Sequence, residues 1–168
     1  TGGNLVISSA GAPPNASGVG PVADAVQFTY VGGLIQPADA YASSTHDPTN
    51  RGLENAINGD GMSDADGDGI GDTHAVSDYG NGLSWMSGQN DITGWYAVDL
   101  GVPHELFLME FYNFNATDGN TSRGVRFADL YVSLAEDPDV AAGTPDFTDT
   151  TVWQLVEEDY EFTRAPGS

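Results

Sequence analysis

Along the chain, short segments rich in β-branched and aromatic residues recur between clusters of Gly, Asn, Asp and Pro, and almost nothing keeps a helical period beyond one or two turns. The pattern predicts an all-β protein. Candidate strands are NLVIS at 4–8, AVQFTYV at 25–31, GWYAVDL at 94–100, ELFLMEFYNFN at 105–115, VRFADLYVS at 125–133, VWQLV at 152–156 and YEFT at 160–163, spaced as in a β-sandwich. In the run at 105–115 both faces are apolar, with Phe107, Met109 and Phe111 on one side and Leu106, Leu108, Tyr112 and Phe114 on the other. Such a strand belongs mid-sheet under cover. GLENAIN at 52–58 suits one helical turn, and the connections at 61–81 and 138–150 are long enough to carry function.

The first 33 residues differ: an isolated strand, then GAPPNASGVGP, then a strand ending in VGG. They read as an N-terminal arm or an added hairpin ahead of a sandwich over 34–168. No repeat at a solenoid or propeller period is visible.

The chain has 168 residues, 25 acidic against 4 basic, for a net charge of −21, and no Cys. Folding at this length removes roughly 70% of the surface of the unfolded chain, so disulfides are neither available nor required. A content of 39% hydrophobic and 10% aromatic residues is too rich in core formers for a disordered acidic chain. All four basic residues are Arg (Arg51, Arg123, Arg126, Arg164), which leaves no basic stripe for nucleic acid or an anionic membrane surface. The expected partner is neutral or cationic. No apolar stretch approaches the roughly 20 residues of a membrane span, and Thr1 is not followed by signal-peptide features. The expectation is a soluble chain, or the mature part of an exported protein, in salty water or with divalent cations lowering its charge.

The most specific local signal is DADGDGIGD at 64–72. Carboxylates alternate at Asp64, Asp66 and Asp68, Ile70 holds the next alternate place, Gly69 permits a sharp turn and Asp72 follows. Alternation points every second group inward, as oxygen ligands must to close on Ca²⁺ at ~2.4 Å. Without a cation these carboxylates repel by about 1 kcal/mol per pair in water. An EF-hand places a bidentate Glu twelfth from Asp64, where this chain has Ala75, and no helices flank the segment. The loop instead resembles one unit of a thrombospondin type 3 repeat, with Asp60 and Asp78 as further candidates for its shell. A solvated Asp/Gly connector is the plainer alternative.

Beyond this loop, ASST at 42–45, ENAINGDG at 54–61, LSWMSG at 83–88, GWYAVDLG at 94–101 and RGVRFADLYVS at 123–133 follow one another in an order that resembles the discoidin-like, or coagulation factor type C, domain. EFYNFNATDGNTSRGV at 110–125 is similar to such domains in secreted bacterial proteins. The resemblance implies a galactose-binding-like jelly-roll β-sandwich, here with an insertion at 62–82. It also implies a structural Ca²⁺ beside the NAxDG motif, whose aspartate is replaced by Asn58, with Asp60 or backbone carbonyls compensating. The family continues into a closing strand where this chain reaches Ala165. The open slot would be filled by the N-terminal arm of the same chain or by strand addition from a neighbour, or else the chain is a processed fragment.

Ligands of that family sit on loops at one end of the sandwich. Tyr79 in the inserted loop is the stacking candidate, His46 and Arg51 lead into GLENAIN, and Asn113, Asn115 and Arg123 flank the 113–124 connection. Strand capping, solvation of loop residues such as His74, and pairing of Arg123 with a carboxylate are the competing structural roles, and Trp85 and Trp95 read as core. No nucleophile elbow or HExxH is present, and His46, His74 and His104 lack zinc spacing. The expectation is no enzyme but a calcium-binding carbohydrate-binding or adhesion module, extracellular or at the surface of a bacterium. The alternative is a surface or filament protein joined by β-strand donation.

Overall fold

The computed structural model describes residues 4–8, 22–77, 81–89, 91, 93–116, 123–135 and 139–165. Its regular secondary structure is nearly all strand: β1 (Asn4–Ser8), β2 (Val22–Tyr30), β3 (Gly33–Ile35), β4 (Asp39–Ala42), β5 (Met62–Ser63), β6 (Thr73–His74), β7 (Trp85–Met86), β8 (Trp95–Asp99), β9 (Leu108–Asn113), β10 (Phe127–Ser133) and β11 (Gln154–Glu161). GLENAIN supplies one 3₁₀ turn, Leu53–Ala56. No described helix is long and apolar enough to cross a membrane.

One sheet has five strands in the order β11-β10-β1-β8-β4; in the other, β2 pairs with β3 and β7 along one side and with β9 along the other. All pairings between these strands are antiparallel, and a shared core joins Val26 and Phe28 of the second sheet to Tyr96, Val98, Ala128 and Leu130 of the first, consistent with a β-sandwich. The Trp85 and Tyr96 rings meet at 4.8 Å and Phe111 and Phe162 at 4.4 Å. β1 lies between β8 and β10, with Val6 opposite Ala97 on one side and Tyr131 on the other. The expected arm or hairpin therefore resolves into two strands that enter different sheets.

Three expectations need correction. The run at 105–115 becomes β9, which among the described residues pairs with β2 alone and is half-buried, with Phe107 exposed just before it. The strand under cover on both faces is β2, which is buried at every residue from Val22 to Thr29. VWQLV and YEFT fuse into the single strand β11, because a bulge at Asp159 (φ 53°), held by its N–H on Asp129 Oδ1 at 2.9 Å, absorbs the residues between them. β11 is an edge strand exposed along its whole length, and it carries Glu157, Glu158, Asp159 and Glu161. Third, the described part of the 138–150 connection serves packing: Val140, Phe147 and Trp153 cover Trp95, Ala97 and Tyr131 on the outer face of the five-stranded sheet. Phe147 stacks on Tyr131 at 5.1 Å and meets Trp153 at 5.3 Å.

Candidate metal loop and its anchorage

β5 and β6 pair antiparallel, Met62 opposite His74 and Ser63 opposite Thr73, and close the acidic segment into a hairpin loop. Asp72 donates its N–H to Ser63 O at 2.8 Å, and Ala75 donates to Gly61 O at 2.8 Å. Gly67 (φ 80°) and Gly69 (φ 87°) occupy the left-handed region, where a Cβ is costly, so the chain turns sharply enough to fold back on Asp64. Both Asp64 oxygens accept backbone N–H groups, Oδ1 from Gly67 at 2.6 Å and Oδ2 from Gly69 at 2.8 Å. These bonds hold the Asp64 carboxyl below the ordinary carboxylate range.

Carboxylate oxygens of Asp64, Asp66 and Asp72 lie within 4.8 Å of one another on the exposed surface. At that spacing the like charges repel one another, which a divalent cation reverses. An all-carboxylate donor set on an irregular loop fits a hard cation. Asp68 stands outside this trio; its Oδ1 accepts the N–H of Ile70 at 2.8 Å. Asn58 and Asp60 bond each other, Asp60 N–H to Asn58 Oδ1 at 2.8 Å and Asn58 Nδ2 to Asp60 Oδ2 at 3.1 Å. Asp78 and Tyr79 fall outside the described residues.

Sequence reasoning missed Glu110 of β9. It is the Cα partner of Gln27, the residue that holds Gly71 of the loop; burial pushes its carboxyl up, the charges of Asp72 and Asp68 push it further, and its Oε2 is buried with no hydrogen-bond partner. Its signal was a lone acid inside an apolar run.

The loop is fastened to the second sheet. Gly71 donates its N–H to Gln27 Oε1 at 3.1 Å, and Tyr112 donates its hydroxyl to Gly71 O. The His74 ring faces two carbonyls, Nδ1 with Ala75 O at 2.7 Å and Nε2 with Asp60 O at 3.1 Å, and lies 3.7 Å from Asp24. Its side chain is buried rather than solvated, and that burial pushes its pKa down against the pull of the two carbonyls.

Asp24 is fully buried in β2, and burial raises its pKa to about 7 against the opposing effects of the Ser77 hydroxyl, the Asn115 N–H and the Arg51 charge. Asn115 donates to Asp24 Oδ2 at 2.9 Å, while Oδ1 has no hydrogen-bond partner. Arg51 and Asn113, expected as ligand contacts, are both buried. Arg51, 2% exposed, gives its guanidinium to Ser84 Oγ and lies over the Phe114 ring at 5.8 Å. Asn113 is buried, its amide on Val125 O at 2.6 Å and Thr163 O at 3.1 Å. Arg51 and Asn115 converge on Asp24 instead of on a rim. His46 is exposed, its backbone N–H on Met86 O at 2.9 Å, and Arg123 is half-buried beside the Val22–Gly124 bridge.

The resemblance motifs also hold chain to chain. Both serine hydroxyls of ASST donate to Asp91 Oδ2, Ser43 at 2.7 Å, and Trp85 Nε1 donates to Ser44 O at 3.3 Å. Trp85 and Trp95 are buried. No family model, curated protein or solved structure matches this chain.

Proposed function

We propose that this chain is a non-catalytic, calcium-binding adhesion module of an exported bacterial protein, built as a discoidin-like jelly roll and directed at a neutral glycan. The observation that carries the proposal is the convergence of Asp64, Asp66 and Asp72 on a loop pinned to β2 and β9, with Glu110 behind it. A cation there neutralises part of the −21 charge and makes a rigid rim of a mutually repelling one. The order of ASST, ENAINGDG, LSWMSG and GWYAVDLG supports the jelly roll. A neutral ligand fits a surface on which Arg51 is buried and Arg126 lies 3.5 Å from Glu161. With Arg51 and Asn113 engaged in structure, the exposed rings among the described residues include Tyr30, packed on His104 at 5.4 Å, and Phe107, 80% exposed, both suited to a sugar face.

Calorimetric titration with CaCl₂ and melting with and without EDTA test the metal: saturable binding and a lower Tm in EDTA are expected, and no heat with an unchanged melt refutes it. A glycan array run with calcium tests the ligand. Binding lost in F107A at unchanged Tm supports the platform; an array blank at every calcium concentration refutes the glycan.

A further inference from the structure

We infer that β1 is an exchangeable strand: Asn4–Ser8 of one copy completes the five-stranded sheet of a second copy, as it completes its own. Among the described residues, β8 and β10 are joined in this sheet only through β1, which pairs with each over all five of its residues. Without β1 the sheet parts into β4 with β8 and β10 with β11, and each half bares an inner edge of unpaired backbone groups, whose burial without partners is costly. The walls of the slot do not depend on β1 alone, because Tyr96, Val98, Ala128 and Leu130 are held in the core shared with Val26 and Phe28 of β2. An accepting copy therefore keeps a formed receptor.

The donor is tied to its own fold by its connection and not by a ladder to the next strand, since β2 lies in the other sheet. Residues 9–21, SAGAPPNASGVGP, number 13 and include three Pro and three Gly. Extended, such a connection reaches about 45 Å, whereas a domain of this length has a radius of gyration of about 15 Å. It is long enough to carry β1 onto an adjacent copy. Exchange preserves every β1 ladder bond, so the balance between closed and exchanged forms turns on protein concentration against the effective concentration set by the tether. This inference rests on strand order and the length of the connection, and stands or falls apart from the glycan reading.

The test uses two full-length single-cysteine chains, Val6→Cys and Ala97→Cys, in a protein that has no cysteine of its own. The two positions are direct Cα partners across β1 and β8, at the ~5 Å typical of antiparallel neighbours, a span a disulfide bridges. The chains are unfolded together, refolded as a mixture and oxidised. Exchange gives a disulfide-linked heterodimer, absent when either chain refolds alone, and a tenfold rise in concentration raises its fraction about tenfold while that fraction is small. The single chain V6C/A97C is the control for register. If it closes an internal disulfide while the mixture yields no heterodimer at any concentration, the inference is overturned. Should A97C fail to fold, native mass spectrometry of the unaltered chain refolded at rising concentration decides: dimers or longer series support exchange, and monomers throughout refute it.

Discussion

Replacing Asp24 by Asn removes one ionisable group from the most enclosed polar site in the described core. The folded pKa of about 7 exceeds the ordinary value of 3.8 by about 3 units, and at 1.36 kcal/mol per unit this amounts to about 4 kcal/mol. Because the folded value is raised, the stability is fully present below about pH 4, where both states are protonated. It drains away as pH climbs through about 7, since the unfolded chain sheds its proton first. Four kcal/mol is a large part of the roughly 5–15 kcal/mol that holds a domain folded. Asn keeps an oxygen for the Asn115 N–H and does not titrate. The stability of D24N minus that of the parent should therefore rise by up to about 4 kcal/mol between about pH 4 and about pH 8. Taking the difference removes the shared contribution of the other acids. Denaturant unfolding at fixed calcium, followed by tryptophan fluorescence, measures it, because Trp85, Trp95 and Trp153 are all buried. A difference that stays flat across this range refutes the reasoning.

Three further outcomes are expected. Asp64→Asn should weaken calcium binding about tenfold or more by calorimetry, with little change in the melt recorded in EDTA. Gly69→Ala meets open space but a φ of 87°, so a strain of about 1–2 kcal/mol should lower calcium affinity roughly 5- to 30-fold. Phe28→Ala, at a fully buried core position, should cost about 3–5 kcal/mol in denaturant unfolding at any calcium level.

Strands that alternate cleanly were legible from the sequence. NLVIS, GWYAVDL and VRFADLYVS became β1, β8 and β10 to within two residues at either end. β2 was harder to rank because Asp24 and Gln27 make it look half-solvated, when they are the polar groups that face His74 and Gly71. The alternating aspartates announced a loop that gathers carboxylates, but not which of them meet: Asp68 is drawn to Ile70 N–H and Asp60 to Asn58, a matter of local backbone bonds. Arg51 looked like a ligand contact because its partner Ser84 lies 33 residues away, and no local pattern records that distance. Val140, Phe147 and Trp153 were likewise too scattered to read as a second core.

The border strand β11 shapes how these molecules crowd together. Two such margins brought side by side would align Glu157, Glu158, Asp159 and Glu161 with their own kind, and the kink at Asp159 spoils a straight fit. A dense coat of this protein can therefore stay discrete, with lateral fusion into ribbons discouraged at the margin where an all-strand fold is most vulnerable.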